Sequence, residues 1–161
     1  FRHTGRVPNP RSGELQRLVD AGDFEGVLQL VSLDEVAVAW CDHATRGATT
    51  GDDADWWAVE FWYVISERGG GDRALRRKVI EALLRRAGDD VLLCGSVGVG
   101  PLEDYLPRGE EDIEWLENLA AELPGARVAV ESMWVSELGP DEVAQLSAIA
   151  NGPDENLESR D

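Results

Sequence analysis

The stretch "DDVLLCGSVGVGPLEDYL", residues 89–106, has two readings, and the fold turns on the choice between them. In the first, Val91-Leu92-Leu93 is a buried strand that runs into a glycine-rich phosphate loop. Gly95, Gly98 and Gly100 then give the spacing G-x-x-G-x-G, and a helix follows. In the second, Asp89 or Asp90 starts a short helix, the glycines turn the chain tightly, and a new helix begins. Gly100 then lies near its N-cap, Pro101 at N1 and Glu103 at N3.

The first reading extends further along the chain. Val128-Ala129-Val130 would be the next strand and Glu131 its ribose-binding acid, which resembles the opening βαβ unit of Rossmann-like dehydrogenases or methyltransferases. Four features oppose it. About 90 residues precede the unit and read as helical. Only 30 residues follow Glu131, too few for the remaining strands of an open parallel sheet. Pro101 removes a backbone N–H where donors should face a phosphate. Glu103 and Asp104 put two negative charges into the same turn, which a phosphate would meet as repulsion and a methyl donor less so. The helical reading is preferred. A nucleotide- or methyl-donor-binding enzyme using residues 95–100 stands as the alternative.

Helical patterns also dominate outside this stretch. "SGELQRLVDAGDFEGVLQLVS" predicts a helix from about Gly13, a break near Gly22 and a second helix from Asp23. Ser32 and Glu35 form a capping box for the next, with Val36, Trp40 and His43 on one face. "TRGATTGDD" reads as a loop. Trp57, Phe61, Val64 and Ile65 share helical spacing in "DADWWAVEFWYVISERGGG". "GDRALRRKVIEALLRRAG" has Asp72 as N-cap, a core stripe of Leu75, Val79, Ala82, Leu83 and Ala87, and Gly88 as its stop. Ile113, Leu116, Ala120 and Leu123 line one face of "EEDIEWLENLAAEL". "ARVAVESMWVSEL" fits both a strand (Val128, Val130) and a helix (Val130, Trp134, Leu138). "GPDEVAQLSAIA" is a final helix with Pro140 in its first turn. Residues 1–12 read as a flexible lead-in, 13–150 as a single helical domain and 151–161 as a disordered acidic tail.

The net charge of the 161 residues is −17, and most of it lies in the last third, where residues 101–161 carry 3 basic and 16 acidic groups. Such a surface repels nucleic acid and anionic lipid and attracts basic partners. No apolar run reaches the ~20 residues of a membrane helix, and no signal peptide is visible. Cys41 and Cys94 stand alone, as expected of a chain in a reducing cytoplasm. A single lysine among many Ala, Gly, Arg, Asp and Glu residues points to a GC-rich bacterial genome.

No catalytic set emerges. There is no Gly-Lys-Ser/Thr for a P-loop, and Cys94-Gly95-Ser96-Val97-Gly98 misses the nucleophile elbow by its first residue. Cys41-Asp42-His43 offers too few ligands for zinc, so no metal or cofactor is expected. Two surface features remain. Six tryptophans are many for this length; adjacent Trp56 and Trp57 point about 100° apart on a helix and resist joint burial. Arg73, Arg76, Arg77 and Lys78 cluster in a mostly acidic chain and are expected to pair internally. The residues selected as a partner-binding surface are Trp56, Trp62, Glu103, Asp104, Glu110, Glu111, Glu114 and Glu117.

The order of Ala39-Trp40, Asp89-Asp90-Val91-Leu92-Leu93, Gly100-Pro101-Leu102-Glu103-Asp104-Tyr105-Leu106 and Trp134 resembles an uncharacterised family of small bacterial helical domains. The resemblance covers about residues 34–148, and the Gly-Pro-Leu-Glu-Asp segment is its most specific part. Tyr105 replaces the usual leucine, extra glycines precede the segment, and about 30 residues extend the N-terminus. The resemblance implies an all-helical fold and brings no activity with it. The expectation is an all-α protein of about seven or eight helices, as a bundle or stacked helical hairpins. Its expected role is non-enzymatic binding of a basic protein, immunity- or antitoxin-like, with a scaffold or oligomerisation domain as a further alternative.

Overall fold

The computed structural model describes residues 9–47, 53–68 and 72–153. They are all-α: ten α-helical segments and two π turns, with no strand among the described residues. Most of the lead-in, the 48–52 part of the expected loop and most of the expected tail lie outside them. The chain divides into two compact units, Phe1–Ala82 and Leu83–Asp161, where the sequence reading draws one domain over 13–150.

In the first unit, α1 (Ser12–Asp20) buries Leu15 and Val19 at i, i+4 spacing. Helix α2 (Phe24–Leu30) starts from Asp23, whose carboxylate accepts the Gly26 N–H at 2.9 Å. Helix α3 (Leu33–Arg46) opens with the expected capping box. Ser32 Oγ accepts from the Glu35 N–H at 3.2 Å, and Glu35 Oε2 accepts from the Ser32 N–H at 2.8 Å. It buries Val36, Trp40 and His43 together and stops at Gly47 in the left-handed region. Helix α4 (Trp56–Tyr63) packs on α1 and α3 and runs on into a π turn over Val64–Arg68. Its buried arc is wide, taking in Trp57, Ala58, Phe61, Trp62, Val64 and Ile65. The side-chain amide of Gln16 also donates to Glu60, linking α1 to α4.

Helix α5 (Arg73–Ala87) contributes residues to both units. Asp72 Oδ1 accepts the Leu75 N–H at 2.9 Å, and Gly88 follows the last turn with φ 59°.

The second unit corrects the reading of residues 89–106. Asp90 caps α6 (Val91–Val97), its carboxylate accepting the Leu93 N–H at 3.0 Å. The glycines then turn nothing: Gly98 has helical φ and ψ, and the helix continues through a π turn (Gly98–Leu102) into α7 (Glu103–Tyr105). Gly100 is therefore not an N-cap and Pro101 does not start a helix. Pro101 is buried inside the π turn, whose i→i−5 bond runs from the Glu103 N–H to Gly98 O. A proline inside an α-helix deletes a hydrogen bond and collides with the preceding turn; a wider turn accommodates both effects. Leu106, with φ 52°, ends the run.

The glycines instead permit close packing. A Cβ on Gly98 would overlap the carbonyl oxygen of Ala129 and lie 2.9 Å from Ser132 Cβ. One on Gly125 would lie 2.6 Å from Cys94 Sγ and 2.7 Å from Gly88 O. Helix α6 and its π turn are thus seated tightly on α9 (Gly125–Ser132). Residues 127–131, open between strand and helix in the sequence, are helical. Helices α8 (Gly109–Glu122) and α10 (Pro140–Asn151) pack on α9 and on each other. Tyr105 and Asp112 are both buried here. The Tyr105 hydroxyl donates to Asp112 Oδ1 at 2.6 Å, and the Arg108 N–H donates to Oδ2 at 2.7 Å.

Candidate functional site

Helix α9 ends at Ser132, whose hydroxyl donates to Val128 O at 2.7 Å. Met133 then leaves the helix in an extended conformation with its side chain buried. This step turns the next residue, Trp134, outward, and it is 73% exposed. The Trp134 backbone N–H donates to Glu103 Oε2 at 2.9 Å, so the segment after α9 is tied to the residue that follows the π turn. Between them lies a cavity of about 280 Å³ lined by Glu103, Asp104, Leu106, Trp134, Ser136 and Glu137. Three carboxylates and one indole therefore share a concave wall. An ammonium or guanidinium group placed there gains ion pairs with the carboxylates and a cation–π contact with the indole face.

Of the residues selected from sequence, only Glu103 and Asp104 meet in this cleft. Glu110, Glu111, Glu114 and Glu117 are exposed on α8 and do not line it. Trp62 is 3% exposed, so its place in a binding surface is corrected: the wide buried arc of α4 takes it into the core. Trp56 is half-buried and packs edge-on to His43, with ring centroids 5.4 Å apart. Trp134 and Glu137 were missed. The i, i+4, i+8 match of Val130, Trp134 and Leu138 placed Trp134 on a helix stripe, and no residue between 130 and 134 signals the stop at Ser132.

Trp56 belongs to a different polar cluster, in the first unit. Arg46 donates from Nε to Asp53 Oδ2 at 2.8 Å and from Nη2 to Asp53 Oδ1 at 2.6 Å and Asp55 Oδ2 at 2.8 Å. These bonds hold the Asp53 carboxyl down at about 2, against an ordinary 3.8, despite its burial. His43 Nδ1 lies 3.5 Å from Asp53 Oδ2. The cluster pins the end of α3 to the start of α4.

The Gly95–Gly100 segment does not form a phosphate loop. It is helical, Gly98 is buried, and the Gly98 N–H donates to Cys94 O within the helix. Among the described residues, no group of three His, Cys, Asp or Glu side chains is arranged to hold a metal ion, and no helix is long and apolar enough to cross a membrane. Comparison with family models, curated proteins and solved structures gives no match.

Proposed function

We propose that this chain is a non-enzymatic protein-binding module that receives a basic segment of a partner, in the manner of an immunity or antitoxin protein. The carrying observation is the outward Trp134 in a cleft with Glu103, Asp104 and Glu137. A mostly exposed tryptophan gains little for the fold, whereas aromatic anchors beside complementary charge dominate binding energies at interfaces. The excess acidity of residues 101–161 adds long-range attraction for a basic partner. The Gly-Pro-Leu-Glu-Asp segment, which carries the resemblance to an uncharacterised helical family, supplies two of the carboxylates. Two free, buried cysteines fit a reducing compartment, and we place the chain in the bacterial cytoplasm.

Calorimetric titration with an arginine- and lysine-rich peptide tests this reading. Saturable binding that weakens with salt and falls about tenfold in Trp134→Ala is expected. Absence of binding at low salt, or equal binding by Trp134→Ala, would overturn it.

A second reading, an oligomerisation domain, has its own observation. Val91, Leu92 and Val99 are large, apolar and exposed along α6 and its π turn, Leu92 at 83%. Leu92 and Val99 are seven residues apart and lie near one face. Light scattering of the wild type and of Leu92→Glu across a concentration series tests it. A mass that stays monomeric in the wild type removes this reading.

A further inference from the structure

A second cavity in the same unit, of about 350 Å³, lies among α8, α9 and α10. We propose that it binds a small aliphatic carboxylate, with Arg127 as the anchor for the acid group. Ala120, Ala121, Ala148 and Ile149 form its apolar wall; Arg127 and Glu117 are its charged groups. The volume falls within the range of small-molecule sites, about 300–1,000 Å³.

Arg127 is the informative residue. Its Nε is buried and has no hydrogen-bond partner among the described residues. Its guanidinium also lines the cavity, and the two Nη groups of a guanidinium take a carboxylate through two parallel bonds. Residues 101–161 carry 16 acidic groups, yet none of the described ones forms an ion pair with Arg127, not even Glu117 on the same cavity wall. Arg85, by contrast, pairs with Glu122 at 2.8 Å. Room for the guanidinium is made by Gly152, at φ 72°, where a Cβ would overlap Arg127 Nη1. The adjacent C-terminal end of α10 favours a positive charge but leaves Nε without an acceptor. A guanidinium that merely rested on a helix end would leave the apolar wall of the cavity without a role.

Charge sets the direction of selectivity. The protein is acidic overall, but at physiological ionic strength distant charges are screened beyond about 8 Å, so the nearest groups decide. Arg127 attracts a carboxylate and Glu117 repels it. Glu117→Gln should therefore tighten binding, and Arg127→Gln should weaken it.

The test uses octanoate, octanol and octylamine as probes on the full chain, by calorimetric titration. Octanoate is expected to bind saturably, at least tenfold more tightly than octanol or octylamine. Arg127→Gln should lose at least tenfold for octanoate, Glu117→Gln should gain severalfold, and Ala148→Trp should block the cavity. Should Arg127→Gln fail to fold, the opposite-signed effects of Glu117→Gln and Ala148→Trp decide. Octanoate that does not bind at millimolar concentration, that binds Arg127→Gln equally, or that binds no better than octylamine would overturn the proposal. None of these variants touches the Trp134 cleft, so the two sites stand or fall separately.

Discussion

Gly98 and Ala129 lie so close that the smallest side chain at 98 would overlap the carbonyl oxygen of Ala129. Backbone is the obstacle, not a flexible side-chain tip, so Gly98→Ala must separate α6 from α9. An overpacking cost of about 1–3 kcal/mol is expected. At Gly100, two residues on, an added Cβ meets nothing within 4 Å beyond its chain neighbours, so Gly100→Ala should cost less than Gly98→Ala, its strain coming only from Pro101, which disfavours helical backbone at a preceding residue that carries a Cβ. The urea midpoint of Gly98→Ala should fall clearly below that of Gly100→Ala; a Gly98→Ala midpoint equal to wild type would refute the close seating of these helices.

The tryptophans should separate by role. Trp62→Ala removes a core side chain and should cost about 3–5 kcal/mol. Trp134→Ala should change stability by no more than about 0.5 kcal/mol, because its ring faces solvent. Thermal melts of both variants check the pair.

What the sequence disclosed about these residues follows how local each signal is. Ser32 with Glu35, Asp72 before α5 and Gly88 after it act on the turn next to them, and each behaves in the structure as its neighbours imply. Gly98 does not. Its place is decided by Ala129, some thirty residues later, and glycine looks the same to a local reading whether it bends a chain or admits a second helix. Pro101 misled for a related reason. Proline at a helix start and proline inside a π turn share φ, and only the continuing helix distinguishes them. In the cleft, Glu103 and Asp104 were visible as excess charge, but Trp134 depended on where α9 stops.

The buried Tyr105–Asp112 pair should behave as a coupled unit. Asp112→Ala removes the acceptor of the Tyr105 hydroxyl and Arg108 N–H bonds and should cost about 2–3 kcal/mol. Tyr105→Phe should cost about 1–2 kcal/mol. A double-mutant cycle on Tyr105→Phe and Asp112→Ala should return a coupling above about 0.5 kcal/mol; additive effects would contradict the geometry.

Acid should loosen the first unit through Asp53. The unfolded carboxyl titrates near 3.8 and the folded one at about 2. Between those values the unfolded chain binds more protons, so this group's contribution is present above pH 4 and is lost as pH falls toward 2. Arg46→Met returns Asp53 toward its ordinary value and should flatten the acid limb of a stability–pH curve. An unchanged slope in that variant would exclude the pairing as its origin.

The π turn at Gly98–Leu102 also sets a rotational phase. A π turn carries one residue more than an α turn, so every side chain after it is rotated by about 100° relative to an uninterrupted helix. Glu103 reaches the Trp134 N–H with that added rotation in place. Deleting Gly100 would narrow the π turn to an α turn, set Pro101 against the preceding turn and put the residues after it out of phase, carrying the Glu103 carboxylate away from Trp134. The angular position of the anionic group is thus set by the length of a segment that never enters the cleft, and a one-residue deletion there should abolish peptide binding while the chain stays helical by circular dichroism.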